Sequence, residues 1–513
     1  MESMIKKSNR EPVIKAHDFT TLYQSCRQYL RAYREVSVAH RLQEVKKLQQ
    51  IIYLNSEKIV AHIMDETGKS RTDALVSEVM GVLDYCEWIL KHGKKILADK
   101  TVSTPIALFG KKSKIYHEPV GVTLIIAPWN YPFHIGMTSI IGAFVAGNCV
   151  IYKPSEHTSF LGLFEEIFSS LPLLSQAAKI VYGDGNVAQK LIDCRPDKIF
   201  FTGSTRTGKK ILQQAAPLLI PVDLELGGKD AMIVFDDVDL DRTAAGALWG
   251  ALTNAGQSCT SVERLYVQQN IYTEFVNKLK ENMEQLVINN HDCGNADIGG
   301  ITTDFQYEII KRHVDDARNK GATIHCGGEP LDATASADDK PFYPPTLITD
   351  VDNSMLLIQE ETFGPVLPVI PFTDEDEVIT HCNNSEFGLS ASVWSKDLKR
   401  ADRVARAIEV GAVSINNVML TEGNPALPFG GTKNSGFGRS KGAEGLLSFT
   451  RSKSVLFDKQ SKKIEANWYP YTQKKYELFQ GLISALFNRT ASWLARFAVA
   501  GIALESEAQK KRF

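Results

Sequence analysis

The sequence predicts an α/β protein built on parallel sheets, because short β-branched runs alternate with helical stretches in two parts of the chain. The first alternation spans residues 121–225, and its predicted strands are residues 122–126, 150–153, 179–182, 199–202 and 222–225. The second spans about 230–439, with strands near 265–267 and 412–415. A helical segment at 19–100 precedes both, and its apolar spacing predicts packing alone.

Composition excludes several classes of protein. A chain of 513 residues predicts two or three domains. With 58 basic and 60 acidic residues the net charge is -2, so we expect no nucleic-acid partner. The first twenty residues lack the continuous apolar run of a secretory signal.

Cysteine usage points to a reducing compartment. The scattered cysteines are Cys26, Cys86, Cys149, Cys194, Cys259, Cys293, Cys326 and Cys382. None forms a Cys-x-x-Cys pair, which favours reduced thiols in a cytoplasmic protein. We see no ligand cluster for a metal and expect none.

The residues that follow the predicted strands are candidates for a site, because ligands of open parallel sheets bind at the carboxyl ends of the strands. They are Trp129 and Asn130, the segment 153–156, Gly183, Gly203 and Ser204, and the segment 225–228. The turn at 201–208 leads from a strand into a helix, whose first amides can bind an anion such as a pyrophosphate. It lacks the third glycine of a dinucleotide fingerprint, as does the turn at 183–185, so each alone is a weak indication.

Cys259, in the segment 256–260, is the candidate nucleophile. A lone cysteine is more often a small buried apolar residue. However, Glu225 stands at a strand end beside two glycines that let the backbone approach a ligand. The alternative for Glu225 is a solvated or ion-paired carboxylate. Asn130 lies in a loop stiffened by two prolines, where its amide either donates to a developing oxyanion or makes turn hydrogen bonds.

Seven segments carry a resemblance to a known family. They are APWNYPF at 127–133, KPSE at 153–156, FTGS at 201–204, LELGGK at 224–229, GQSC at 256–259, EETFGPV at 360–366 and PFGGTKNSGFGR at 428–439. With these motifs in order, the chain resembles the NAD(P)-dependent aldehyde dehydrogenase superfamily from about residue 19 to residue 455. The resemblance implies oxidation of an aldehyde to a carboxylic acid through a cysteine thiohemiacetal and a thioester that water hydrolyses.

The resemblance also implies roles for individual residues. Cys259 matches the nucleophile, Glu225 the general base, and Asn130 the oxyanion donor together with the backbone amide of Cys259. The cofactor contacts that it implies are Lys153 and Glu156 at the adenosine ribose, Trp129 and Ser204 at the pyrophosphate between Gly203 and Gly208, and Glu361 and Phe363 at the nicotinamide end. A carboxylate at position 156 favours NAD without excluding NADP.

The resemblance divides the chain and implies a homodimer or homotetramer. The cofactor-binding domain is expected at 1–104 and 121–227, and the catalytic domain at 228–440. A bridging and oligomerisation element of β structure is expected at 105–120 and 441–457. Its short strands near 114–118 and 448–456 pair either across subunits or as an ordinary two-stranded ribbon.

The last residues, 458–513, form an amphipathic tail that looks like the extension of the fatty aldehyde branch. Its apolar face at 478–504 is interrupted by Arg489 and Arg496, too soon for a bilayer span. It either lies on a membrane surface or docks on protein. The tail suggests a long-chain or aromatic aldehyde. Two other functions stay open: a CoA-acylating dehydrogenase, which Glu225 argues against, and a catalytically silent NAD-binding scaffold docked by its tail.

Overall fold

The computed structural model describes residues 18–288, 295–329, 340–458, 463–488 and 491–510. Cys293 and Arg489 lie outside the described residues, as does most of the N-terminal segment expected to lack a signal. The chain divides into two compact units. Unit 1 comprises Met1–Ala98 and His117–Ser452, and unit 2 comprises Asp99–Tyr116 and Lys453–Phe513.

Helices surround the sheets of unit 1. They are α1 (Asp18–Tyr33), α2 (Val38–Leu54), α3 (Ser56–Thr67), α4 (Arg71–Asp73), α5 (Gly81–Ile96), α6 (Pro132–Val145), α7 (Leu163–Phe168), α8 (Pro172–Ala177), α9 (Gly185–Asp193), α10 (Thr205–Ala215), α11 (Leu240–Leu252), α12 (Tyr272–Met283), α13 (Asp304–Asn319), α14 (Leu356–Gln359), α15 (Glu375–Asn383), α16 (Leu398–Ala407), α17 (Leu420–Gly423) and α18 (Gly442–Ser448). A π-helical turn, Ala74–Met80, joins α4 to α5. Unit 2 contains α19 (Gln473–Phe487) and α20 (Trp493–Gln509).

The strands form two large sheets and two small ones. They are β1 (Lys100–Val102), β2 (Lys111–Pro119), β3 (Val122–Ile126), β4 (Cys149–Lys153), β5 (Ala178–Ile180), β6 (Lys198–Thr202), β7 (Val222–Glu225), β8 (Asp230–Val234), β9 (Val262–Gln268), β10 (Thr323–Cys326), β11 (Thr346–Thr349), β12 (Val366–Phe372), β13 (Phe387–Gly388), β14 (Ser390–Trp394), β15 (Ala412–Ile415), β16 (Thr432–Lys433), β17 (Gly436–Phe437) and β18 (Thr450–Asp458).

The first large sheet has the order β17-β7-β6-β3-β4-β5 and is parallel except for β17. Every residue of β3, β4 and β6 is buried, as in a parallel sheet covered on both faces. The chain runs from β3 to β4 and β5 on one side, then returns to β6 and β7 on the other. Ligands of such sheets bind at the strand ends beside this reversal. The predicted α/β class is confirmed, and each of the five strands predicted here is present.

The second large sheet has the order β10-β11-β12-β9-β8-β14-β15 and is parallel except for β10. A short crossing at 226–229 leads from β7 of the first sheet into β8 of the second. The strands predicted near 265–267 and 412–415 correspond to β9 and β15. Because β7 ends at Glu225 and β9 begins three residues after Cys259, the two sheets present the two candidate residues.

Unit 2 contains α19 and α20 and contributes to a small sheet of order β1-β2-β18. β2 includes the run predicted at 114–118, and β18 covers residues 450–456 of the run predicted at 448–456. The two strands lie side by side within one chain. The tail is a pair of helices, and Lys475, Ala485, Leu504 and Ala508 are its buried residues. In the described part of the chain, no helix is both long and apolar enough to cross a bilayer.

Candidate active site

Cys259 lies after a strained turn. Helix α11 is followed by a tight turn in which Asn254 and Ala255 both have φ near 53°, a left-handed conformation that costs free energy for residues other than glycine. The carboxylate of Asp73 stabilises this turn, because it accepts from the Thr253 hydroxyl at 2.9 Å and from the Asn254 amide at 2.8 Å. The half-buried Cys259 is presented just beyond it.

The thiol of Cys259 lies among acidic groups. Burial raises the pKa of Cys259 well above its usual value, and the charges of Glu422, Asp230 and Glu225 raise it further. Because both effects disfavour the thiolate, the thiol is the stable form near neutral pH. A nucleophile at this position needs a neighbouring base that takes up its proton.

Glu225 lies in the same small cavity as Cys259. The cavity has a volume of about 30 Å³, and its lining also includes Thr202, Glu422 and Lys441. The Thr202 hydroxyl donates to Oε2 of Glu225 at 3.3 Å. Oε1 is buried and accepts no hydrogen bond from the residues that the structure describes. A space of this size holds a water-sized molecule next to both side chains.

The environment of Glu225 suits proton transfer near neutral pH. Burial raises the pKa of Glu225 to about 7, although the Ser440 hydroxyl and the Lys441 ammonium act in the opposite direction. The carboxylate of Glu422 raises it, and Thr202 lowers it. A general base is most effective when its pKa lies near the working pH, so this carboxylate is well matched to that role.

Asn130 joins the loop after β3 to the segment that carries Cys259. Its side chain is buried, and its Nδ2 donates to the carbonyl of Gln257 at 3.0 Å. Its carbonyl accepts from Nδ2 of Asn254 at 3.1 Å and from Nζ of Lys69 at 2.6 Å. The structure thus brings Asn130 and the nucleophile segment together.

Lys69 and Glu78 lie in the segment expected only to pack, and sequence reasoning did not single them out. Both side chains are fully buried and form an ion pair beside Asn130. Charged residues in a helical segment usually lie on a solvated face, so their type and spacing gave no indication of burial. Nζ of Lys69 also lies over the Tyr131 ring, 4.1 Å from its centroid, in a cation–π contact.

Lys153 and Glu156 form an ion pair at the end of β4. Nζ of Lys153 lies 2.8 Å from Oε2 of Glu156, and the carboxylate is 41% exposed while the lysine is buried. Burial raises the pKa of Glu156, but the hydrogen bond and charge of Lys153, the backbone amide of Glu156 and the charge of His157 together outweigh burial, so the net pKa is lowered. A charged carboxylate therefore faces solvent at this strand end.

Gly203, Ser204 and Gly208 shape the turn between β6 and α10. The Gly203 amide donates to the Glu225 carbonyl at 3.0 Å, and Ser204 caps α10 by accepting from the Thr207 amide at 3.3 Å. A Cβ atom at Gly208 would lie only 2.7 Å from Leu226, so this glycine lets α10 pack closely against the strand end. Helix α10 therefore begins directly after the end of β6, next to Gly203.

Trp129 contacts Phe363, and Glu361 lies against Gly227 and Gly228. The rings of Trp129 and Phe363 meet edge to face at 5.3 Å between centroids. Oε1 of Glu361 accepts from the Gly228 amide at 3.0 Å. A Cβ atom at Gly227 would overlap the Glu361 carboxylate, so glycine is required there. Burial raises the pKa of Glu361 to about 8, and the charge of Glu263 raises it as well.

The fold and the site define an α/β enzyme. The strand ends of its first sheet are suited to a dinucleotide, and a cysteine and a carboxylate line one cavity beside them. Comparisons with known proteins agree with this class. The model of the Aldehyde dehydrogenase family matches residues 6–455. A 4,4'-diapolycopene aldehyde oxidase of Methylomonas sp is 42% identical over 458 residues, which cover 89% of this chain and 84% of that protein.

Two further relatives match a similar share of the chain. The chloroplastic betaine aldehyde dehydrogenase of Atriplex hortensis is 34% identical over 453 residues, covering 86% of each protein. The crystal structure of an NAD-dependent aldehyde dehydrogenase from Sinorhizobium meliloti matches with a TM-score of 0.81 and 32% identity, covering 86% of this chain and 87% of that one.

The chain belongs to the aldehyde dehydrogenase family. It is an oxidoreductase that oxidises an aldehyde with NAD or NADP, which confirms the predicted family, fold class and enzyme class.

Proposed function

We propose that this protein oxidises an apolar aldehyde to its carboxylic acid, with Cys259 as nucleophile, Glu225 as general base and Asn130 as oxyanion donor. The observation that carries the proposal is the cavity shared by Cys259 and the carboxylate of Glu225. A thiol whose proton is hard to remove stands there beside a carboxylate whose pKa is about 7. The pairing supplies both the nucleophile and the base that the reaction needs.

The residues act in sequence. Glu225 takes the Cys259 proton, and the sulfur adds to the aldehyde carbon to form a thiohemiacetal. The amide of Asn130 and the backbone amide of Cys259 donate to its oxyanion. The chemistry that NAD would supply when bound is acceptance of a hydride from this carbon, which would leave the acyl group on Cys259 as a thioester. Glu225 releases the Cys259 proton to solvent and then takes a proton from water. The resulting hydroxide attacks the thioester, the C–S bond breaks, the acid departs, and the Cys259 sulfur takes a proton back.

The strand ends of the first sheet fit the cofactor. Lys153 and Glu156 would hold the adenosine ribose, and Ser204 with Trp129 would contact the pyrophosphate between Gly203 and Gly208. Glu361 and Phe363 would hold the nicotinamide ribose and ring. The ionised Glu156 would repel a 2'-phosphate, which favours NAD over NADP.

Two separate apolar cores support the proposed division into a cofactor-binding and a catalytic domain. The core around the first sheet uses residues up to Leu226 together with Leu446 and Phe449, and the core around the second sheet begins at Met232. We keep the proposed boundary near residues 227 and 228, with the bridging element at 105–120 and 441–457.

An apolar substrate is supported by the chemistry of the cavity and by a relative. Ile135, Leu226, Leu389 and Phe429 line the cavity together with the polar groups. The relative that is 42% identical is named for an aldehyde of diapolycopene. We therefore place the substrate among long-chain or aromatic aldehydes, and we expect short charged semialdehydes to be poor substrates.

The experiment that tests the proposal follows formation of reduced cofactor from NAD with octadecanal, benzaldehyde and succinic semialdehyde, with and without CoA. Wild-type protein should turn over the apolar aldehydes without CoA. Cys259→Ala should be inactive, whereas Cys326→Ala, a change at another half-buried cysteine, should keep activity. Turnover by Cys259→Ala would refute the nucleophile, a requirement for CoA would favour the acylating alternative, and cofactor binding without any turnover would favour the scaffold.

A self-association of the chain is also proposed, as a homodimer or homotetramer that uses β18. This strand lies at an edge of its sheet, and Leu456 and Phe457 are 50% and 40% exposed. An exposed apolar edge strand is suited to pairing with a second copy. Sedimentation velocity should show an oligomer for wild type and a smaller species for Leu456→Asp, and a monomeric wild type would refute it.

Cytoplasmic location with contact at a membrane surface is the proposed setting. Ile483, Phe487, Leu494, Val499 and Ile502 of the tail are each more than half exposed. These side chains could enter the interface of a bilayer while the polar faces stay in water. Wild type should float with liposomes that contain phosphatidylglycerol, and a variant with serine at 487, 499 and 502 should not. Leu398→Ser, a change at an exposed leucine of unit 1, is the control.

A further inference from the structure

Two buried Lys–Glu ion pairs in unit 1 share one feature: the lysine donates to a loop of the candidate site, and the glutamate accepts from two consecutive backbone amides. Lys69 and Glu78 are both 0% exposed, and Lys229 and Glu263 are 1% and 4% exposed. Removing both charges of a pair from water costs several kcal/mol per ion, and a well-packed apolar pair is often at least as stable. Their placement against the candidate site therefore calls for a role other than stability.

The first pair holds the loop that carries Asn130. Nζ of Lys69 donates to the Asn130 carbonyl at 2.6 Å. Oε2 of Glu78 accepts from two consecutive backbone amides, those of Phe133 at 2.8 Å and His134 at 3.0 Å, where α6 begins. Both ends of the loop that carries the proposed oxyanion donor are thus attached to one ion pair.

The second pair holds the loop that carries Phe363. Nζ of Lys229 lies 2.5 Å from Oε2 of Glu263 and donates to the Thr362 hydroxyl at 3.2 Å. The two oxygens of Glu263 accept from two consecutive backbone amides, Thr362 at 2.8 Å and Phe363 at 2.8 Å. Phe363 itself has φ of 53°, a left-handed conformation that such contacts can stabilise.

We propose that the two ion pairs are separate positioning devices: Lys69–Glu78 sets the oxyanion donor Asn130, and Lys229–Glu263 sets the nicotinamide contact Phe363. This inference rests on the proposed function, because the roles of Asn130 and Phe363 are those proposed there. A lysine with a glutamate holds a backbone segment more rigidly than an apolar pair can, since it supplies directional donors and acceptors to that segment. The position of Asn130 and the position of Phe363 then depend on different ion pairs.

Double-mutant cycles test the proposal. The first readout is the single-turnover rate of thioester formation on Cys259, followed by rapid quench and mass spectrometry. Lys69→Met should lower this rate about tenfold in the wild-type background but less than about twofold when Asn130 is already alanine. The same change should keep its full effect in a Phe363→Ala background.

The second pair is the matched control. Lys229→Met should raise KM for NAD about tenfold in the wild-type background and in Asn130→Ala, but should add little to Phe363→Ala. If each lysine variant has the same effect in the Asn130→Ala background as in the Phe363→Ala background, the positioning role is overturned. A wild-type protein that forms no thioester would refute the proposed function instead, so the two failures are distinguishable.

Lys69→Met leaves Glu78 buried without its cation, which can prevent folding. The variant Lys69→Met with Glu78→Gln carries no unpaired charge, and its amide oxygen still accepts from the start of α6. This double variant should show the same dependence on Asn130. If it too fails to fold, the pair is a folding element and the positioning role is overturned.

Discussion

The Thr202 hydroxyl donates to Oε2 of Glu225 across 3.3 Å, while Oε1 is buried without a hydrogen bond from any residue that the structure describes. One oxygen is therefore held by a hydrogen bond and the other is not, and the Glu225 side chain lines the same cavity as Cys259. An unsatisfied buried oxygen destabilises the folded protein but leaves a proton acceptor ready for a ligand or water. The first two predictions rest on this arrangement.

We expect thioester hydrolysis to lose rate as the pH falls below about 7, because the pKa of Glu225 is about 7 and only its ionised form accepts a proton from water. Single-turnover deacylation measured from about pH 5 to pH 9 should show this acid limb. Lys441→Met should move the limb to higher pH, since the Lys441 ammonium favours the ionised form. A limb near the ordinary value of 4.5 would contradict the buried environment.

Glu225→Gln should stabilise the protein at alkaline pH. The pKa of this carboxyl is 4.5 ordinarily and about 7 when folded, so the folded state holds the extra proton between these values and loses stability as the pH rises through them. At about pH 8 the variant should be more stable by up to about 3 kcal/mol, and at about pH 4 the difference should vanish. Urea denaturation at both pH values measures it. Equal stability at pH 8 would show that burial of the charge is not costly.

Asn130→Ala should lower the rate of thioester formation by about 100 to 1000 fold, because one donor to the oxyanion is lost. Single-turnover kinetics with saturating NAD measure it. Asn148→Ala is the control: Asn148 is also buried, and its Nδ2 donates to the carbonyls of Ala143 at 3.0 Å and Phe449 at 2.9 Å. That change should lower the free energy of unfolding and leave thioester formation within about threefold. Comparable kinetic losses in both variants would argue against an oxyanion role.

Glu156→Gln should shift cofactor preference toward NADP. The ionised carboxylate repels a 2'-phosphate, and the amide does not, so KM for NADP should fall while KM for NAD rises, each by about tenfold. Initial rates with the two cofactors measure the shift. Glu166→Gln, at an exposed ion pair with Lys58, is the control and should leave both constants unchanged. A preference that does not move would remove Glu156 from the ribose site.

The strands and most of the candidate site were open to prediction because their determinants are local. Buried parallel strands are short β-branched runs, and the residues just past them, such as Asn130, Lys153 and Glu225, must meet at one edge of the sheet. The family motifs then assigned roles to these positions. The tail was predicted as one amphipathic face, yet α19 ends at Phe487 and α20 begins at Trp493.

The sequence by itself determined the α/β class, the family and the identity of the candidate nucleophile and base. Only the tertiary structure decided that Lys69 and Glu78 are buried against Asn130, and that the carboxyl of Glu225 has a pKa of about 7. The reason is physical: a motif fixes residue types over a few positions, whereas desolvation and ion pairing depend on which distant segments exclude water from a group.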